Sequence, residues 1–113
     1  MSAVVSIHEF ELGPEVSDEA FEKLVLEEWV PAWSQVPGMG NFKLLKGNRG
    51  ARDGKYTFTF EMESVERRDQ LFPQPGVGSE RIEQFQAAHP GLVERLESFL
   101  ADNAWTDYGV FNA

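Results

Sequence analysis

The sequence predicts an α+β fold whose elements run strand, helix, strand, strand, helix, strand. Three observations carry this reading. Lys55-Tyr56-Thr57-Phe58-Thr59-Phe60-Glu61-Met62-Glu63 alternates polar with aromatic or apolar residues, the period of a strand with one dry face. Phe21, Leu24, Val25, Trp29, Ala32 and Val36 recur at three- and four-residue steps, the stripe of a helix lying on a core. Ile82, Phe85, Leu92, Leu96 and Phe99 mark a second helical face in the other half of the chain. One long helix in each half of a βαββαβ order gives a four-stranded antiparallel sheet with its helices on one face.

Each element has a local reason. Val4 to Leu12 alternates as the first strand, and Gly13-Pro14 ends it. Ser17 is placed to cap a helix, with Asp18 and Glu19 where the helix dipole favours negative charge. Val16 and Phe21 have the spacing of a hydrophobic staple across that cap. Pro31 lacks the amide hydrogen an inner helical position requires, which predicts a kink or break near Val30. Pro37-Gly38-Met39-Gly40 is a turn. Asn41 to Lys46 and Lys55 to Glu63 are the second and third strands, joined by the glycine-rich loop Gly47 to Gly54. Ser64 caps a short helix ending at Leu71 or Phe72, and Pro73 to Gly78 is expected to be the most mobile internal segment. Ser79 caps the next helix, His89-Pro90-Gly91 interrupts it, and Pro90 is expected to start a fresh turn. Trp105 to Asn112 makes the last strand.

Composition narrows the function classes. A chain of 113 residues fits one domain spanning residues 1–113, and 42% hydrophobic content suits a folded core rather than disorder. Nothing approaches the roughly 18 apolar residues of a membrane span. With no basic leader followed by an apolar run, no signal peptide is expected. The absence of cysteine excludes disulfides, zinc–thiolate sites and thiol catalysis, and a cytoplasmic location is expected. The net charge of −9 makes nucleic acid a poor partner. The spaced aromatics of the third strand echo an RNA-recognition strand, but Thr57 stands where a small residue is needed. Half of the ten basic residues, Lys43, Lys46, Arg49, Arg52 and Lys55, crowd around the hairpin. They read either as a solvated tip or as a surface for an anion or acidic partner.

The open sheet face is half apolar. Val5 and Ile7 share it with Glu9 and Glu11, while Thr57, Thr59 and Glu61 meet water. Such a face calls for a second sheet, which an isologous homodimer supplies. With its ferredoxin-like order, its opening IHEFELGPEVSDEAFEKLV and its aromatic third strand, the whole chain resembles the dimeric α+β barrel superfamily. That superfamily includes antibiotic-biosynthesis-type monooxygenases, stress-responsive A/B barrels, muconolactone isomerases and haem-degrading monooxygenases. The resemblance implies two subunits packed sheet to sheet, each with a small cavity between sheet and helices. It also implies a cofactor-independent monooxygenase or isomerase acting on a small aromatic or carbonyl compound. The alternative it allows is a non-enzymatic, small-molecule-binding or stress-related dimer. The haem degraders use an Asn, a Trp and a His in the pocket. Here the first strand offers Ser6 or His8 where the Asn belongs, and the third strand has no Trp.

His8 is the candidate catalytic residue. Strand alternation puts Ser6, His8, Phe10 and Leu12 on one face, and the last two direct that face toward the helices. An imidazole there is suited to general acid–base work, although a core histidine satisfied by a neighbour fits the same pattern. Tyr56 and Phe58 on the third strand, and Trp29 and Trp33 on the first helix, are the candidate substrate-binding residues for a flat aromatic ligand. Trp105 and Tyr108 fall on opposite faces of the last strand, so only one of them reaches the cavity. His89 lies too far from His8 in sequence to suggest a metal site, and Glu9, Glu11, Glu27 and Glu28 show no acid–base pairing.

Overall fold

The computed structural model describes residues 3–111. Strands β1 (Val4–Leu12), β2 (Met39–Lys46), β3 (Tyr56–Met62) and β4 (Leu100–Gly109) form one sheet in the order β2-β3-β1-β4. Every pairing is antiparallel. Helices α1 (Asp18–Leu24), α2 (Val30–Trp33), α3 (Val65–Leu71), α4 (Glu80–Ala88) and α5 (Leu92–Phe99) complete the predicted βαββαβ order. The molecule is a slab 39 × 38 × 21 Å, thin because only one face of the sheet carries helices. Among the described residues no helix is long and apolar enough to cross a membrane.

The core lies where the alternation predicts. Val4, Phe10, Tyr56, Phe58 and Met62 point from the two central strands into a cluster with Phe21, Leu24, Val25, Ile82 and Phe85. Burying each of the larger side chains stabilises the fold by about 1.5–3 kcal/mol. Ser17 Oγ accepts from the Ala20 amide at 3.1 Å, and Ser64 Oγ accepts from the Arg67 amide at 3.0 Å. Both caps therefore fold as read.

Three local expectations change. Pro31 does not break the first helix. A π turn, Val25–Trp29, joins α1 to α2, and the Val30 amide donates to the Val25 carbonyl five residues back. The wider turn lets the chain stay helical through a proline that cannot donate. Ser79 does precede α4, but its hydroxyl makes no capping bond and is buried without a partner among the described residues. Pro90 starts the fresh turn after His89 as expected: the Leu92 amide donates to the His89 carbonyl at 3.3 Å, and Gly91 takes the left-handed conformation (φ 81°) that leads the chain into α5. β4 starts at Leu100 rather than Trp105: the polar stretch Leu100 to Asn103 reads as a loop, yet its backbone pairs with Phe10, Glu11 and Leu12 of β1. The Asn112 end expected for that strand lies outside the described residues. The Pro73–Gly78 segment forms a turn, with the Val77 amide donating to Gln74 O at 2.9 Å and the Ser79 amide to Leu71 O at 2.8 Å.

The basic hairpin is largely neutralised by its own chain. Lys46 pairs with Asp18 at 2.8 Å, Arg52 with Glu9 at 3.0 Å and Lys55 with Glu11 at 2.6 Å. Exposed pairs of this kind stabilise by about 0–1 kcal/mol each. Their larger effect is on the surface field, because they remove most of the local positive excess. That leaves little of an anion-binding lip.

Candidate functional site

Sheet register assembles the site on β1 and its two neighbours. His8 stands opposite Phe58 of β3 and Trp105 of β4, and Ser6 stands opposite Phe60 and Asp107. Residues directly opposite in a sheet share a face, so these two rungs form one wall. Ser6 Oγ and His8 Nε2 are 2.9 Å apart. The imidazole lies nearly parallel to Trp105 (centroids 6.1 Å, 19°) and to Phe60 (5.5 Å, 22°). Above this wall is a cavity of about 400 Å³, closed by Arg68, Phe72 and the Pro73–Gly76 turn. A second cavity, of about 290 Å³, adjoins it and is walled by Trp29, Trp33, Phe42 and Phe58. His8, Phe60, Phe72 and Gly76 belong to both walls. Together the two spaces make one bent cleft between sheet and helices.

The electrostatics favour a neutral imidazole. Burial pushes the His8 pKa below its ordinary 6.5, and the nearby Asp107 carboxylate only partly opposes that. Asp107 is itself held by Arg68, whose Nη1 donates to it at 2.9 Å, while Arg68 Nε donates to Asp69 at 2.7 Å. A neutral imidazole keeps an unprotonated ring nitrogen able to accept a proton. Among the described residues no three His, Asp or Glu side chains are grouped to hold a metal ion.

No family model matches the sequence, and no curated protein is significantly similar to it. Solved structures are similar over nearly the whole chain. A dabb family protein with a ferredoxin-like fold from Mesorhizobium loti matches with a TM-score of 0.62 at 16% identity, covering 99% of this chain and 100% of that one. SnoaB, a cofactor-independent oxygenase from Streptomyces nogalater, matches at 0.61 and 13%, covering 100% and 97%. The hydroxynitrile lyase of Passiflora edulis matches at 0.66 and 13%, covering 98% and 95%. The fold is ferredoxin-like, as in these structures. An oxygenase and a lyase share it, so the fold alone does not choose the reaction.

Within this fold, four of the five candidate residues meet at the cleft. His8 lies on the common wall, and Trp29, Trp33 and Phe58 line the second cavity. Tyr56 lies outside both cavities. It is buried against Phe21, and its hydroxyl donates to the Glu22 carboxylate, tying β3 to α1. Burial and that carboxylate push its pKa far up, so it stays protonated. Of the two aromatics on β4, Trp105 faces the cleft. Tyr108, opposite Val5, is on the open sheet face. His89 packs on Phe85 at the end of α4, with 4.8 Å between ring centroids. Sequence reasoning missed Asp107, Arg68 and Phe72 as site residues. Asp107 had a usable signal, since it lies two residues beyond Trp105 on the same strand face. Arg68 and Phe72 had none, because α3 is too short to announce which face it buries.

Proposed function

We propose that the chain is a cofactor-independent enzyme, a monooxygenase or an isomerase, acting on a small aromatic or carbonyl compound in the bent cleft. One observation carries the proposal: a neutral imidazole on the wall of a mainly apolar cavity, set between the Trp105 and Phe60 rings. His8 acts as the general base. It takes a proton from an acidic C–H or O–H of the ligand and leaves an enolate or phenolate whose charge spreads over the carbonyl or ring. Returning that proton at another carbon is isomerisation. Letting the electron-rich anion react with dioxygen begins oxygenation. Trp29, Trp33 and Phe58 supply flat apolar wall for the ring system. The likeness to a cofactor-independent oxygenase supports the reading.

The proposal includes a homodimer formed through the open sheet face, supported by the apolar residues on that face and by the likeness to a dabb protein. It includes a cytoplasmic location, supported by the cysteine-free sequence.

The test is a panel of hydroquinones and enolisable cyclic ketones, followed by oxygen uptake and by proton–deuterium exchange in heavy water. Wild type should turn over at least one class, and His8→Gln should slow it by about 10²–10⁴-fold, the usual worth of a positioned base. Full activity in His8→Gln would overturn the assignment. Binding without turnover would assign the non-enzymatic, small-molecule-binding alternative.

A further inference from the structure

Both arms of the cleft are walled mainly by apolar surface, but their aromatic and charged residues are divided unevenly. The arm beside Trp29, Trp33, Phe42 and Phe58 is aromatic, with Ile82 and Leu96 behind it. The arm beside Trp105 contains Ser6, Arg68, Asp69 and Asp107. Its single cation is already engaged by both carboxylates, through Nε to Asp69 and Nη1 to Asp107. Arg68 is therefore not free to clamp an anion in the bidentate way that makes arginine an anion receptor. Two carboxylates against one guanidinium leave the polar arm with a negative excess, and Glu97 at the margin of the aromatic arm adds to it. The Asp107 side chain retains only 15% of its accessible surface, so its carboxylate is a partly dried acceptor beside the cavity.

Size adds a second constraint. Drug-sized ligands occupy pockets of roughly 300–1,000 Å³. The arms hold about 400 and about 290 Å³, and they share the wall that carries His8. A molecule too large for one arm that reaches His8 extends into the other.

We infer that the ligand of this cleft is bipartite: a flat apolar ring in the Trp29/Trp33 arm, and an uncharged or cationic hydrogen-bond-donor head, a hydroxyl or an amine, at Ser6 and Asp107. His8 sits at the joint between the two parts. Carboxylate and phosphate heads are excluded by the negative excess of the polar arm. The inference rests on the reading of the His8 cleft as a ligand site, and it specifies the ligand's shape and charge.

Calorimetric titration with phenol, 4-phenylphenol and biphenyl-4-carboxylate at pH 7.5 tests it. The second phenyl ring should tighten binding by about tenfold or more over phenol, from added apolar burial and stacking. Biphenyl-4-carboxylate, with the same rings and an ionised head, should bind at least about tenfold more weakly than 4-phenylphenol. Gln86 is exposed on α4 and borders the aromatic arm, so Gln86→Trp narrows that arm with little risk to folding. It should weaken 4-phenylphenol and leave phenol unchanged. Val93→Phe, from α5 on the same arm, is the second variant should the first misfold. Asp107→Asn should reduce the preference for the phenol over the carboxylate. Equal binding of phenol and 4-phenylphenol, or of the phenol and the carboxylate, would overturn the bipartite ligand while the cleft remained a binding site. No binding by any of the three would overturn both.

Discussion

At the scale of single residues, the assignment turns on how His8 is held. Its imidazole is only partly buried, its polar contact is one serine hydroxyl, and its flanking rings belong to a cleft wall. Replacing it with Ala leaves Ser6 facing cleft space that water can enter. His8→Ala should therefore cost no more than about 1 kcal/mol. Phe58→Ala, on the same sheet rung, removes a buried core ring and should cost about 3–5 kcal/mol. Thermal melts of the two variants make the comparison. A larger loss for His8→Ala than for Phe58→Ala would make the histidine scaffold. The pH dependence has a definite sign. Folding lowers the His8 pKa below 6.5, so its contribution to stability is complete above about 6.5 and declines as pH falls from there toward the folded value. Activity through the neutral base should have its acid limb below 6.5. Asp107 opposes the lowering, so Asp107→Asn should move that limb to still lower pH. An acid limb moving upward in the variant would contradict the charge arrangement. His8 was legible from alternation alone. Its partners across the strands were not, because register is set by pairing between distant segments and only Ser6 lies near it in sequence.

At the scale of elements, local chemistry predicted most of what formed. Where it failed, a backbone or a buried group had found another solution. Three serines precede helices, but only Ser17 and Ser64 accept an amide hydrogen. Ser17→Ala and Ser64→Ala should each cost about 1 kcal/mol. Ser79→Ala, which deletes a buried hydroxyl without a partner among the described residues, should be neutral or stabilising. Urea unfolding of the three variants decides the matter, and an equal loss at Ser79 would restore it as a cap. The π turn and the early start of β4 were illegible for a shared reason. Both are hydrogen-bonding choices of the main chain, which hydropathy does not record. The Pro73–Gly78 turn has its own internal bonds, and Gly76 takes a left-handed φ of 74° that resists any side chain. Gly76→Ala should loosen the turn and weaken ligand binding. Unchanged affinity would remove the turn from the site.

At the scale of the molecule, the slab has one covered face and one bare one. Tyr108 and Leu45, 52% and 47% exposed, flank the half-buried Val5 and Ile7 across the bare face. Sedimentation at micromolar concentration should give twice the chain mass, and Ile7→Glu should halve it by placing like charges at the centre of an isologous contact. A wild-type monomer would overturn the proposed sheet-to-sheet dimer. The βαββαβ order and the apolar faces of the strands sufficed to read the four-stranded antiparallel sheet with its helices on one face. Charge was read less well. The five clustered cations suggested a surface feature, but Asp18, Glu9 and Glu11, remote in sequence, neutralise three of them.

The roof of the cleft is a helix-to-helix turn, while its reactive floor is a central strand. Insertions and deletions in that turn need not disturb a single ladder hydrogen bond of β1. Lengthening or shortening it would resize the chamber above His8 and leave the proton-accepting nitrogen where it is. Ligand range and reaction chemistry are thus free to drift separately, each on its own stretch of chain.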